Sequence, residues 1–300
     1  MTKVKKEIPV FCLTQKSSSL DPRTHAFKDG LADIALAGSV FSSHYVKPII
    51  RYCGSTACLV QKSLSDDSPS VSQLLPGEAF AVLEISDNWV WGYSLADHYV
   101  GYLPLKALST ASLLEDKSSY IVTAMQTIVF LQADIKSHPL HFWSLGSSFQ
   151  GEEDGDFIKS EAGYIHKRHC CLSDDLGKEN SDPVTFAEKM VGLPYLWGGR
   201  GAGGIDCSGL VQLSLLMTGR KAPRDSDMQR SLLGSEIPSD SPLLRGDYIF
   251  FSGHVGIMAD EKTLLHANAF SMSVTLEALS DVVTRLSQTH PSPILARRRL

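Results

Sequence analysis

The residues best suited to chemistry stand at Cys207, in the run Asp206-Cys207-Ser208-Gly209-Leu210, and at two downstream histidines, His254 and His266. After Cys207 the apolar positions Leu210, Val211, Leu213, Leu215 and Leu216 run nearly all round a helix, the pattern of a buried one. A thiol at the start of such a helix faces unpaired amides and the positive end of the helix dipole, which favour thiolate. With an imidazolium beside it, a cysteine there drops from a pKa of about 8.5 to roughly 3.5–7.5. The approach, Gly198-Gly199-Arg200-Gly201-Ala202-Gly203-Gly204, is dense in glycine and suits a backbone pressed close to a substrate. His254 opens the run Val255-Gly256-Ile257-Met258, and His266 closes a run after Leu264-Leu265. Two histidines at facing strand ends converge beside a helix terminus, one as base and the other accepting the bond that fixes its tautomer. Taken singly, a buried structural cysteine and two ordinary strand histidines account for the same residues.

The elements that must position this trio are legible around it. Asp182 is a helix N-cap with Pro183 at the first helical position, and Gly192 stops that helix. Residues 193–199 read as a loop, the helix from Cys207 ends at Gly219, and strands follow at 247–251, 254–258, 263–266 and 273–276. Helices followed by an antiparallel sheet make an α+β domain over residues 182–300.

Upstream the grammar is all-β. Leu75-Pro76-Gly77-Glu78-Ala79-Phe80, Asn88-Trp89-Val90-Trp91 and Gly101-Tyr102-Leu103-Pro104 are echoed by Ser144-Leu145-Gly146-Ser147-Ser148-Phe149, Asp156-Phe157-Ile158-Lys159 and Gly163-Tyr164-Ile165-His166. Short strands repeated at roughly 60–70 residues predict two copies of a compact barrel, at 47–110 and 118–172. Both copies resemble bacterial SH3-like domains. Residues 1–46, with a helical-looking run at 31–40, read as an extension packed on the barrels, and the polar, aperiodic residues 173–181 as a linker.

The 300 residues carry 28 basic and 33 acidic side chains, a net charge of −5 that argues against a nucleic-acid partner. The terminal Arg297-Arg298-Arg299 reads as a solvated end. No apolar run approaches the length of about 18 residues that a membrane helix needs. Lys3, Lys5 and Lys6 precede an apolar stretch at 8–13 that Pro9 interrupts, too short for a signal segment, and the expectation is a cytoplasmic protein. The six cysteines, at 12, 53, 58, 170, 171 and 207, show neither a C-x-x-C pair nor zinc spacing, so no metal or cofactor is expected.

In order, Pro194-Tyr195-Leu196-Trp197-Gly198-Gly199, Asp206-Cys207-Ser208-Gly209-Leu210-Val211, Pro223-Arg224-Asp225-Ser226, Arg245-Gly246-Asp247, Gly253-His254-Val255-Gly256-Ile257 and His266-Ala267 resemble the NlpC family of bacterial cell-wall peptidases. With the barrels in front, the chain resembles the dipeptidyl-peptidases that cut γ-D-glutamyl bonds in murein peptides. The resemblance implies a papain-like core in which Cys207 attacks the γ-D-glutamyl carbonyl, His254 moves the proton and His266 orients His254. It implies that the Cys207 amide is an oxyanion donor and that the Tyr195 hydroxyl points into the site. It also implies Asp206 as partner of a free L-alanine ammonium, Ser208 as meeting the D-glutamate part, Ser226 or equally Asp225 as a further contact, and Arg224 as matching the D-glutamate α-carboxylate or equally making a structural salt bridge. From the first barrel Tyr99 is expected over the cleft, with Glu78 and Glu84 as weaker candidates. The expected substrate is a small murein peptide cut to release L-Ala-γ-D-Glu. The alternative is an exported endopeptidase acting on intact wall, with the barrels as anchors. Neither the third substrate residue nor the oligomeric state is legible.

Overall fold

A computed structural model of the chain describes residues 20–65, 67–110, 117–178 and 181–300. Lys3, Lys5, Lys6, the stretch at 8–13, Cys12 and residues 179–180 of the expected linker lie outside the described residues.

Residues 20–46 carry a three-stranded sheet of Phe27–Lys28, Leu31–Asp33 and His44–Val46. The helical-looking run at 31–40 is therefore not an α-helix: a strand leads into one 3-10 turn, Ile34–Leu36, whose Ala35 N–H donates to Asp33 Oδ1 at 2.9 Å. Tertiary burial overrides the local pattern. Ala26, Leu31 and Val46 pack on Leu83 and Trp91 of the next module, and the Tyr93 hydroxyl donates to Asp33 Oδ2 at 2.7 Å.

Two seven-stranded antiparallel sheets follow, and numbering each one's strands in chain order gives the same arrangement for both, 7-1-4-5-6-2-3. The sequence repeat is thus a repeat of topology. The first sheet runs from Ile49–Cys53 to Leu108–Ser109 and closes on Cys53, Val60, Leu74, Phe80, Val82, Val90 and Leu103. Along Trp89–Ser94 the period-two alternation sends Val90 into that core and Trp91 outward beneath the N-terminal sheet. The second runs from Ser118–Val122 to Cys170–Leu172 around Val122, Val129, Trp143 and Ile165.

The last domain contains helices α1 (Pro183–Lys189), α2 (Cys207–Leu216), α3 (Ser226–Leu232) and α4 (Leu279–Ser287). Its six-stranded sheet has the order Ser235–Glu236, Ala296–Arg299, Tyr248–Phe251, His254–Met258, Thr263–Asn268, Ser273–Ala278. Alternate residues serve opposite faces: Val255, Ile257, Leu265 and Ala267 join the core around α2, whereas Met258 and Leu264 pack with Val282 of α4. The terminal arginines are not a solvated end, because Ala296–Arg299 pairs with Tyr248–Phe251 inside the sheet and Arg299 Nε meets Asp247 at 2.7 Å.

The modules share one core. Leu75 of the first sheet and Ile121 and Leu145 of the second lie in the same buried cluster as Leu210, Val211 and Leu213 of α2. Gly146, at φ +87, lets the second sheet's turn approach α2: a Cβ there would stand 2.7 Å from Leu213 Cδ1. Nor is the segment after the second sheet a free linker, since Ser173–Asp175 forms a 3-10 turn and Leu176 packs on this core. Arg200 and Glu78 form a buried ion pair across the junction, Nη1 to Oε2 at 2.9 Å. Breaking such a pair costs about 3–5 kcal/mol.

Candidate active site

Helix α2 starts at Cys207 because Asp206 caps it: its carboxylate accepts the Gly209 N–H at 2.7 Å. Gly209 is needed there, since a Cβ would fall 2.4 Å from the Gly199 carbonyl oxygen. Cys207 is 5% exposed, and its thiol lies by the backbone N–H of Val255, the residue after His254. As the first helical residue, Cys207 offers an N–H that the helix itself does not use. The thiol is not a ready thiolate. Burial, followed by the adjacent Asp206 carboxylate, pushes it up to about 12, outweighing the helix terminus.

The proton acceptor is built by the sheet. His254 is the first residue of its strand, and its Nε2 lies 2.8 Å from His266 Nδ1. On the neighbouring strands, cross-strand pairing places His266, Asn268, Thr275 and Glu277 on one face. Glu277 Oε1 lies 3.1 Å from His266 Nε2, and Arg285 of α4 donates to Glu277 Oε2 at 2.8 Å. Asn268 Nδ2 is 3.2 Å from the same His266 nitrogen and 2.8 Å from Thr275 Oγ1, to which it donates. The carboxylate is the nearer and the charged partner of His266 Nε2, so that nitrogen carries the hydrogen and Nδ1 accepts. His254 then donates through Nε2, which leaves Nδ1 as its basic nitrogen. Burial, then the neighbouring His266, pulls His254 down to about 3. Both shifts favour the neutral forms of the thiol and the imidazole.

A cleft of about 280 Å³ opens at Cys207, lined by Tyr99, Trp197, Asp206, Ser208, Asp225 and Ser226 among others. The structure changes the expected role of Asp206. Its Oδ1 accepts from Gly209, from Ser208 Oγ at 3.2 Å and from Arg224 Nη1 at 2.9 Å, and its Oδ2 from the Gly198 N–H at 2.9 Å and Arg224 Nη2 at 2.6 Å. That carboxylate is filled by protein donors and has no capacity left for a substrate ammonium. Arg224, 1% exposed, is spent on the same pair and on Ser72 Oγ of the first sheet at 3.1 Å, so it is a structural arginine rather than a carboxylate receptor. The acid that faces the cleft with capacity to spare is Asp225. Its Oδ2 accepts from Tyr99 Oη at 2.9 Å and Arg23 Nη1 at 2.8 Å, and among the described residues Oδ1 accepts nothing. Burial raises the pKa of Asp225, against Tyr99 and the two arginines.

Tyr99, just before the strand Val100–Pro104 of the first sheet, lines the cleft. Ser226 lines the cleft at the start of α3, and Ser208 lines it while its hydroxyl bridges Asp206 and Arg224. Tyr195 lies beside Cys207 and Asp206, its pKa raised first by burial and then by these two neighbours. The weaker candidates lie elsewhere: Glu78 holds Arg200, and Glu84 holds Lys28 on the outer face at 2.6 Å. Sequence reasoning missed Arg23, Trp197, Asn268 and Glu277. Glu277 had one signal, its period-two spacing from Thr275 on a strand beside His266.

The arrangement suits acyl transfer to sulfur. In such a transfer a base takes the thiol proton, the sulfur bonds to the carbonyl carbon, and the proton returns to the leaving amine before water regenerates the thiol; Cys207 and His254 carry the groups that these steps need.

Residues 192–290 match the model of the NlpC/P60 family, and residues 62–108 match that of the bacterial dipeptidyl-peptidase SH3 domain. Dipeptidyl-peptidase 6 of Lysinibacillus sphaericus is 24% identical over 66% of this chain and 69% of its own length. Gamma-D-glutamyl-L-lysine dipeptidyl-peptidase of Bacillus subtilis is 32% identical over 34% of this chain and 36% of its own. Peptidoglycan endopeptidase RipA of Mycobacterium tuberculosis is 40% identical over 28% of this chain and 21% of its own. A crystal structure of an NlpC/P60 family protein from Bacillus cereus superposes with a TM-score of 0.70 at 19% identity, covering 84% of this chain and 99% of that one, a likeness of fold. A first sheet of SH3 type, a helix-and-sheet unit with a thiol at its helix start, and these matches lead to one assignment: residues 192–290 form a cysteine peptidase domain of NlpC/P60 type, and residues 62–108 a bacterial SH3 domain.

Proposed function

We propose that the chain cuts the γ-D-glutamyl–diamino acid bond of small murein peptides with a free N-terminal L-alanine, releasing L-Ala-γ-D-Glu. The observation that carries this reading is Asp225, held by Tyr99 of the first barrel at 2.9 Å with one carboxylate oxygen spare in the Cys207 cleft. A spare carboxylate in a partly buried cleft is the natural partner of an ammonium. Asp225 shares its cleft with Cys207, and Ser226 and Ser208, which line the same cleft, are the candidates to meet the D-glutamate part. The two barrels then act as walls rather than anchors, and the natural substrates are soluble fragments of wall turnover. The test is incubation with L-Ala-γ-D-Glu-meso-diaminopimelate, its L-lysine counterpart and their N-acetylated forms under reducing conditions, followed by mass spectrometry. Dipeptide release from the free amines and not from the acetylated forms is expected. Intact free-amine tripeptide overturns the reading. The endopeptidase reading draws on the 40% identity to RipA over the catalytic domain. Release of soluble fragments from purified sacculi would favour it.

A further inference from the structure

The N-terminal segment reaches the cleft through one side chain. Arg23 lines it together with Tyr99, Asp225, Ser226 and Asp227. Its guanidinium is shared among three carboxylates from two modules: Nη1 meets Asp225 Oδ2 at 2.8 Å and Asp227 Oδ1 at 3.0 Å, and Nη2 meets Asp227 Oδ2 and Asp21 Oδ2, each at 2.8 Å. Asp21 also accepts from Arg23 Nε at 3.1 Å, so the fork is held from its own segment. The backbone is fixed too, because the Arg23 carbonyl accepts the N–H of Val100, the residue after Tyr99, at 2.8 Å. Tyr99 and Arg23 therefore approach Asp225 as one rigid unit and take the same oxygen, Oδ2.

Two consequences follow from that geometry. With Oδ2 occupied twice, the carboxylate cannot rotate freely, and Oδ1 is left toward the cleft. The three carboxylates against one guanidinium leave the cluster net negative, so a further cation is favoured there and an uncharged acylated amine is not. Arg23 and Asp227 line the cleft on the side of Asp225.

We propose that Arg23 is a specificity-determining residue: it orients Asp225 for the substrate ammonium and stops the cleft behind it, making a cleft of this fold accept only peptides with a free first residue. This rests on the function proposed above. The experiment compares wild type, Arg23→Ala and Arg23→Lys on L-Ala-γ-D-Glu-meso-diaminopimelate, its N-acetylated form and a form extended by one N-terminal glycine. Iodoacetamide titration of Cys207 and a thermal melt for each variant report whether the site is folded. Arg23→Ala is expected to raise KM for the free amine about tenfold with kcat within about threefold. The ratio of kcat/KM for the blocked and extended peptides to that for the free amine should rise at least about tenfold. Arg23→Lys, which keeps the charge without the fork, should shift the same ratio by less. If Arg23→Ala does not fold, the shift in Arg23→Lys decides the matter. A wild-type ratio in the folded variants overturns the inference, as does an equal kcat loss on all three peptides with full titration of Cys207. Failure of wild type to cut the free-amine tripeptide instead overturns the parent reading, and this inference falls with it.

Discussion

The two ends of the cleft are built on different plans. At the reacting end, Cys207, His254, His266, Glu277 and Arg285 all belong to one domain, and the order of partners is set by adjacent strands in register. At the binding end, Asp225 of the catalytic domain is held by Tyr99 of the first barrel and Arg23 of the N-terminal segment, residues more than a hundred positions away. On the function proposed above, short-range register sets the chemistry, whereas selectivity rests on how the modules dock. The two should therefore be separable by mutation, the first in kcat and the second in KM.

The largest expected effect is at the reacting end. Cys207→Ala should lower kcat by at least about 10⁴-fold while leaving tripeptide binding, measured by calorimetry, near wild type. Next comes a pH dependence of stability. His254 is pulled from 6.5 to about 3 and His266 is lowered by burial, so the folded state refuses protons that the unfolded chain takes up. The contribution is complete above about pH 6.5 and is lost as pH falls toward the folded values. Denaturant melts should show a loss of about 2 kcal/mol from His254 alone by about pH 5. A flat profile there would mean that the imidazoles are not buried neutral. Asp225→Asn should raise KM for free-amine peptides about 10²-fold with a much smaller change in kcat. Equal losses in both constants would break the separation.

Glu277→Gln keeps a carbonyl to accept the His266 hydrogen but loses the charge, so kcat should fall about tenfold with KM unchanged. The acid limb of kcat/KM should move to lower pH, because the carboxylate raises the pKa of both histidines. Tyr99→Phe should be mildest, raising KM about fivefold through loss of a single hydrogen bond.

The same contrast explains what the sequence reveals. The start of α2, the cap at Asp182 and the strands bearing His254 and His266 are legible because caps, stops and period-two patterns act within a few residues. The role of Asp206 is misread for a complementary reason. Nothing near it in sequence announces that Arg224, 18 residues on, fills its carboxylate. Arg23 is invisible as a cleft residue because its partners lie 202 and 204 positions away. The arginines at 297–299 look like a solvated end because charge outweighs pattern, yet they form a strand paired on both sides within the sheet. α4 carries Arg285 and so the support of Glu277, but it lies beyond the motifs that suggest an active site.

Arg224 stands behind the nucleophile's cap and also touches Ser72 of the first barrel, while Arg200 is buried against Glu78 of the same barrel. For protein engineering, this means that the peptidase half is not a detachable cartridge. Trimmed of its barrel it would carry one bare guanidinium group, that of Arg200, an Arg224 short of one partner, and an uncovered apolar face beside its own active site. Broadening what the enzyme accepts is better attempted by single substitutions at the far end of the cleft than by removing or exchanging a module.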